Sequence, residues 1–253
     1  AIYQQMKVFY AEVLDANQML YINASIDKLI DVLENGVDLN NDPWAHLIEA
    51  SKDAEHCQRN WNKNYVVPRE DIDALVHIAN NMPSKQNLDY YRLVVSTDLE
   101  FNRFVYKNAI TEDGTPEFRN AQVDANILFL YVDNSDMEIV FPDKGESYQL
   151  QKAKNIGIST GAVCMAAHQM GYRTGFCQCY LKQPIRDKLI ELGVQLKDGE
   201  DVELLLGIGK PNEDFLWHEI VDDDGNFLQS AGSFDKNPET DFILTPITPA
   251  PGY

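Results

Sequence analysis

The chain has 253 residues, 44% of them hydrophobic, which is enough to bury a substantial core as one large domain or two small ones. With 40 acidic residues against 21 basic ones the net charge is −19, a field that repels polyanions, so nucleic acid is not an expected partner. A charged fraction of 24% argues against global disorder, and no apolar run approaches the ~20 residues that span a bilayer.

Residues 1–36 read as two amphipathic helices. Tyr3, Met6, Phe9, Tyr10 and Val13 recur at helical spacing, as do Ile26, Leu29, Ile30 and Leu33, and Gly36 is placed to end the second helix. Asp42 and Pro43 suit the N-cap and first turn of a further helix, with Trp44, Leu47, Ile48 and Ser51 on one face. Pro68 opens the next, whose apolar stripe Ile72, Leu75, Val76, Ala79 and Met82 runs to Pro83. There the missing backbone donor of proline stops the helix. Arg92–Ser96 is apolar and β-branched, which predicts a strand, and Asn126–Val132 is the continuous apolar run of a strand covered on both faces. A long helix is predicted over 151–170, with Gly171 as its C-cap. Its face of Gly157, Ser159, Gly161, Ala162, Ala166 and Ala167 suits close backbone packing, for example across a subunit interface. Strands at Thr174–Tyr180 and Val202–Gly209 flank a short helix from Pro184 to Leu192, stopped at Gly193. His218–Gln229 alternates around Asp223–Asn226 as a hairpin would, and Asp241–Thr248 reads as extended. Helices and strands mix with no fixed βαβ period and no internal repeat, so the class is α+β or mixed α/β.

Several common site signatures are missing. There is no Gly-x-Gly-x-x-Gly or Walker loop and no Gly-x-Ser-x-Gly elbow. The histidines His46, His56, His77, His168 and His218 lack ligand spacing, and the cysteines Cys57, Cys164, Cys177 and Cys179 lack a Cys-x-x-Cys pair, so no metal site is expected. Cys177 and Cys179 would share one face of a strand at a spacing that does not favour a bridge. No signal peptide precedes them, and reduced thiols in a cytosolic protein are the expectation.

Four features then follow in order: Arg59-Asn60-Trp61-Asn62-Lys63, the helix end Met82-Pro83-Ser84-Lys85-Gln86-Asn87, the segment Gly171 to Cys179, and Leu204-Leu205-Leu206-Gly207-Ile208-Gly209 before Lys210-Pro211. Taken singly, Arg59 and Lys63 read more readily as a solvated basic patch than as a site, and the Pro83–Asn87 turn as a plain helix–strand connection. Together and in this order they resemble the nitroreductase family over roughly residues 44–245. In that family an Arg-x-Ser-x-Arg/Lys segment and a Pro-Ser-x-x-Asn turn flank FMN, a helix end leads to a strand beside the flavin ring, and an Ile-Gly-Tyr-Pro strand end follows.

The resemblance implies an α+β nitroreductase-like fold over 44–253, a central, mostly antiparallel sheet flanked by helices, behind an N-terminal helical extension over 1–43. It implies FMN, held by Arg59, Asn60, Trp61 and Lys63, by Pro83, Ser84, Lys85 and Asn87 of the turn, and by Phe176, Cys177, Gln178 and Cys179. Arg59 offers phosphate a planar fork. Lys63 would sit near N1 and the C2 carbonyl, where a cation stabilises reduced, anionic flavin and raises its potential. The turn would serve the ring carbonyls and N3, and a backbone N–H of the strand would reach N5. Asn120 is a further candidate for the ring and Lys236 for the phosphate. The implied activity is NAD(P)H-driven two-electron reduction of a nitroaromatic, quinone or similar conjugated acceptor by ping-pong kinetics. The implied assembly is a cytoplasmic homodimer with FMN at its interface, and no protein acid or base is implied. The sequence departs from the family pattern at Trp61, where serine is usual, and at Asp89-Tyr90-Tyr91, where Gln-Pro-Trp is usual. Trp61, Tyr90 and Tyr91 could stack on acceptor rings. These departures leave open a flavin-binding protein without turnover, and a specialised relative that dehalogenates, dehydrogenates or fragments the flavin.

Overall fold

A computed structural model of the chain describes residues 45–110, 120–139, 145–222 and 224–232. Residues 1–43, the Asp42–Pro43 helix start, Lys236 and the 241–248 segment lie outside them. In chain order the elements are α1 (Ala45–Asp53), α2 (Arg69–Asn80), β1 (Tyr91–Ser96), α3 (Leu99–Lys107), β2 (Ile127–Asp133), α4 (Glu146–Gln169), β3 (Arg173–Cys177), α5 (Lys182–Glu191), β4 (Val202–Gly209), β5 (Glu219–Val221) and β6 (Phe227–Ser230). This is an α+β chain. Among the described residues no helix is long and apolar enough to cross a membrane.

The main sheet has the order β1-β2-β4-β3, every pair antiparallel. All seven residues of β2 are buried, and strand alternation divides its side chains between two layers. Leu128, Leu130 and Val132 pack with Phe101 and Val105 of α3 and with Ile185 and Leu189 of α5. Ile127, Phe129 and Tyr131 pack with Leu75 and Ala79 of α2 and with Val163 and Ala167 of α4. A strand sandwiched in this way has no polar face, which is why its sequence is a continuous apolar run.

Several helix ends follow local chemistry. Asp98 caps α3 by accepting from the Glu100 and Phe101 amides. After α4 the Gly171 and Tyr172 amides return to the His168 and Ala167 carbonyls, and after α5 Gly193 and Val194 do the same to Ile190 and Leu189. This double return stops each helix at the glycine the sequence marks.

Four expectations shift. α2 ends at Asn80, short of Pro83, because the Asn81 amide already turns back to the Ile78 carbonyl. β3 ends at Cys177 rather than Tyr180: the Cys179 amide donates to Cys177 Sγ, and Tyr180 buries its ring and donates its hydroxyl to the Val202 carbonyl at 2.8 Å. On α1, Leu47 and Ile48 are exposed and Ala50 is the buried residue. On α4, Ser159 and Ala167 are buried, but a Cβ at Gly157 or Gly161 would meet nothing within 4 Å. These two glycines border an open apolar cavity of about 710 Å³ with Ile156, Phe176 and Leu204.

Candidate functional site

The site is built around the short turn Ala121–Val123 and the three polar residues Gln122, Asp124 and Asn126 that alternate into β2. The turn lies hard against β3 and β4. A Cβ at Gly207 would stand 1.9 Å from the Gln122 carbonyl oxygen, and one at Gly175 would stand 2.5 Å from Gln122 Cβ. Only glycine allows this approach.

Asn126 anchors the segment carrying Arg59 and Lys63. Its Nδ2 donates to the Asn62 and Tyr65 carbonyls, both at 2.9 Å, and its Oδ1 accepts from the Lys210 amide at 3.1 Å. Backbone bonds from Gln58 to Thr174, from Arg59 to Trp217 and from Asn62 to Lys210 complete the attachment. The segment is therefore held at several points along its length.

Arg59 is half-buried, and its Nη1 donates to Gln122 Oε1 at 2.7 Å. Its Nε is buried and has no hydrogen-bond partner among the described residues. Gln122 Nε2 donates to the Phe176 carbonyl at 3.3 Å, and Asn120 Nδ2 donates to the Cys179 carbonyl at 3.2 Å. The Thr174 and Phe176 carbonyls, two residues apart on the edge strand β3, both point away from β4. The Phe176 N–H points the same way as its own carbonyl, because alternate residues of an antiparallel strand direct both groups to one side. Phe176, Gln178 and Cys179 are exposed, while Cys177 is buried. Burial pushes the Cys177 thiol up to about 12, and all four cysteines are free.

Lys63 is bound to a carboxylate. Its Nζ lies 2.7 Å from Asp124 Oδ1 and also donates to the Asp124 carbonyl, while Arg103 Nη1 holds Asp124 Oδ2. Burial lowers the pKa of Lys63 below that of a free lysine, against the opposing pull of Asp124.

No family model matches the sequence, and no curated protein matches it. Solved structures do resemble it. A nitroreductase family protein from Clostridium novyi NT superposes with a TM-score of 0.53 at 16% identity, covering 66% of this chain and 86% of that one. Nitroreductase A from Vibrio parahaemolyticus gives 0.53 at 18% identity over 66% and 69% of the two chains. NfrA2 from B. megaterium gives 0.52 at 18% over 70% and 71%. The chain has a nitroreductase-like fold.

Within that fold, hydrogen bonds connect Arg59, Asn120 and the Phe176–Cys179 segment through Gln122. Among the described residues no hydrogen bond joins the Pro83–Asn87 turn to this network. The turn contains two successive left-handed residues, Gln86 at φ 59° and Asn87 at φ 55°, and it lines a separate cavity of about 400 Å³ with Asp89, Arg92 and Asn155. Neither Arg59 nor Lys63 lines that cavity.

Other expected contacts turn inward. Trp61 is 5% exposed, and its indole N–H donates to the Ala121 carbonyl at 3.0 Å. Asn60 donates to the Leu216 and Glu219 carbonyls and accepts from Gln58. Tyr90 is fully buried, and Tyr91 donates its hydroxyl to the Ala79 carbonyl and packs edge-on against Tyr131. Trp61 and Tyr90 are therefore core residues rather than the expected stacking platform, while Tyr91 is half-buried beside the cavity of the Pro83–Asn87 turn.

Sequence reasoning missed Gln122, Asp124, Asn126 and Arg103. The signal for three of them was present: polar residues at every second position immediately before a wholly apolar strand, where each must find a buried partner.

Proposed function

We propose that this protein is a cytoplasmic FMN-dependent oxidoreductase. It takes electrons from NAD(P)H and delivers two to a nitroaromatic, quinone or similar conjugated acceptor, the two substrates using one pocket in turn. The observation that carries this reading is Arg59, whose guanidinium has one arm held by Gln122 and a buried Nε without a hydrogen-bond partner among the described residues, within a nitroreductase-like fold. A desolvated cationic donor is costly unless an acceptor meets it. Phosphate suits a planar fork, so these residues fit FMN at its phosphate end.

When bound, FMN supplies hydride acceptance and electron release. The chain binds and orients it: Arg59 on the phosphate, and the outward N–H of Phe176 toward the ring with Gln178 and Cys179 beside it. Lys63 fits its expected role only in part, since Asp124 occupies two of its contacts. Because Arg59 and the Pro83–Asn87 turn share no cavity within one chain, the reading has them meet across a homodimer. The open Gly157–Gly161 face suits a partner helix there.

Purified protein tests the proposal. It should be yellow or take up added FMN, scatter light as a dimer, and bleach promptly when mixed anaerobically with NADH or NADPH. A colourless protein that takes up no FMN refutes the reading. A second reading, flavin binding without turnover, is favoured by the neutralisation of Lys63 by Asp124. Yellow protein that neither nicotinamide bleaches would select it.

A further inference from the structure

Asp124 is 6% exposed, yet it faces two cations. Lys63 reaches both its side chain and its carbonyl, and Arg103 of α3 takes the second carboxylate oxygen. The carboxylate is rigidly placed: the Asp124 amide donates to the Ala121 carbonyl at 3.1 Å, and Asn102 of α3 holds the next carbonyl, that of Ala125, at 3.0 Å. An ammonium has three donors. One is donated to the Asp124 carbonyl, while the ammonium pairs by charge with Asp124 Oδ1 at 2.7 Å. The two cations and one carboxylate together carry a single positive charge rather than two, with the carboxylate buried and both cations partly exposed.

We infer that Asp124 is a positioning residue that fixes Lys63 and offsets its charge, and so sets how strongly the site favours reduced over oxidised FMN. This rests on the flavin reading above and extends it, by assigning to Asp124 the control of how far Lys63 favours the reduced ring. Asp124 acts through Lys63 and not by touching the ring. Its consequence is a weaker preference for the anionic, reduced ring than a free lysine at the same place would give.

Two readouts test this, one of them independent of flavin. In FMN-loaded protein, anaerobic titration against a redox dye measures the ratio of affinities for reduced and oxidised FMN. Asp124→Asn should raise that ratio about tenfold, equivalent to roughly 30 mV for a two-electron couple. Lys63→Met should lower it, and the Lys63→Met/Asp124→Asn double variant should return toward the parent value. In flavin-free protein, amine labelling of Lys63 followed by mass spectrometry should rise severalfold in Asp124→Asn, because the ammonium loses its anchor. Should Asp124→Asn alone fail to fold, Lys63→Met and the double variant carry the comparison. Unchanged labelling would show that Asp124 does not hold Lys63. Changed labelling with an unchanged affinity ratio would overturn the link to flavin while leaving FMN binding intact. Failure of the parent protein to bind FMN would instead overturn the proposed function and this inference with it, and the labelling result would then describe a structural ion pair.

Discussion

Replacing Arg59 with alanine separates a ligand role from a structural one. Among the described residues its side chain makes one hydrogen bond, from Nη1 to Gln122 Oε1, so truncation should cost about 1 kcal/mol of stability and a few degrees in Tm. Toward FMN the loss should be larger, because a buried guanidinium nitrogen is unfilled and would meet phosphate in a charge-assisted bond. Such a bond contributes about 1.5–3 kcal/mol, or roughly a 10- to 150-fold weaker Kd at 25 °C. The assay is titration of flavin-free protein with FMN followed by fluorescence quenching, repeated with riboflavin, which has the same ring and no phosphate. Arg59→Ala should weaken FMN binding and leave riboflavin binding nearly unchanged, and the FMN effect should shrink as salt rises. Unchanged FMN affinity in a variant that melts like the parent would refute the assignment, and so would equal losses for FMN and riboflavin.

Phe129→Ala, at the centre of β2 with no exposed surface, should cost about 3–5 kcal/mol by chemical denaturation, since the site is covered on both faces and cannot collapse. Gly207→Ala should destabilise by about 1–3 kcal/mol and loosen the Gln122–Arg59 contact, because its Cβ would stand 1.9 Å from a backbone oxygen. His168 is 6% exposed, and burial, reinforced by the nearby Arg173 charge, lowers it to about 4 from an ordinary 6.5. The unfolded chain therefore binds the extra proton first as pH falls. Stability should be full above pH 6.5 and decline by about 3 kcal/mol on the way to pH 4, read as a falling Tm that His168→Gln flattens. Glu200 titrates in a lower window: despite desolvation, the Lys197 and Ser135 amides hold its carboxyl down to about 2. Its contribution is lost as pH falls from 4.5 toward 2, so the two effects can be distinguished.

What the sequence makes legible here is whatever is local or periodic. The apolar run over β2, the glycines after α4 and α5, and the cations at 59 and 63 each occupy a short window and carry a physical reason within it. The fold follows from these because alternation in β2 dictates two covering layers. What stays hidden involves partners far apart in the chain. Asp124 captures Lys63 across 61 residues, and Trp61 bonds the Ala121 carbonyl across 60, and no periodicity in either window announces the other. Tyr90 and Tyr91 mislead for a related reason, since an aromatic beside a turn serves equally as a platform or as core, and only the layer beneath it decides. The separation of Arg59 from the Pro83–Asn87 turn is the most instructive case. Sequence order sets the two motifs side by side, whereas in the fold Arg59 does not line the cavity that the turn borders. In the proposed dimer a second chain supplies one of the two, so a monomer that binds FMN with full affinity would count against the turn as part of the site.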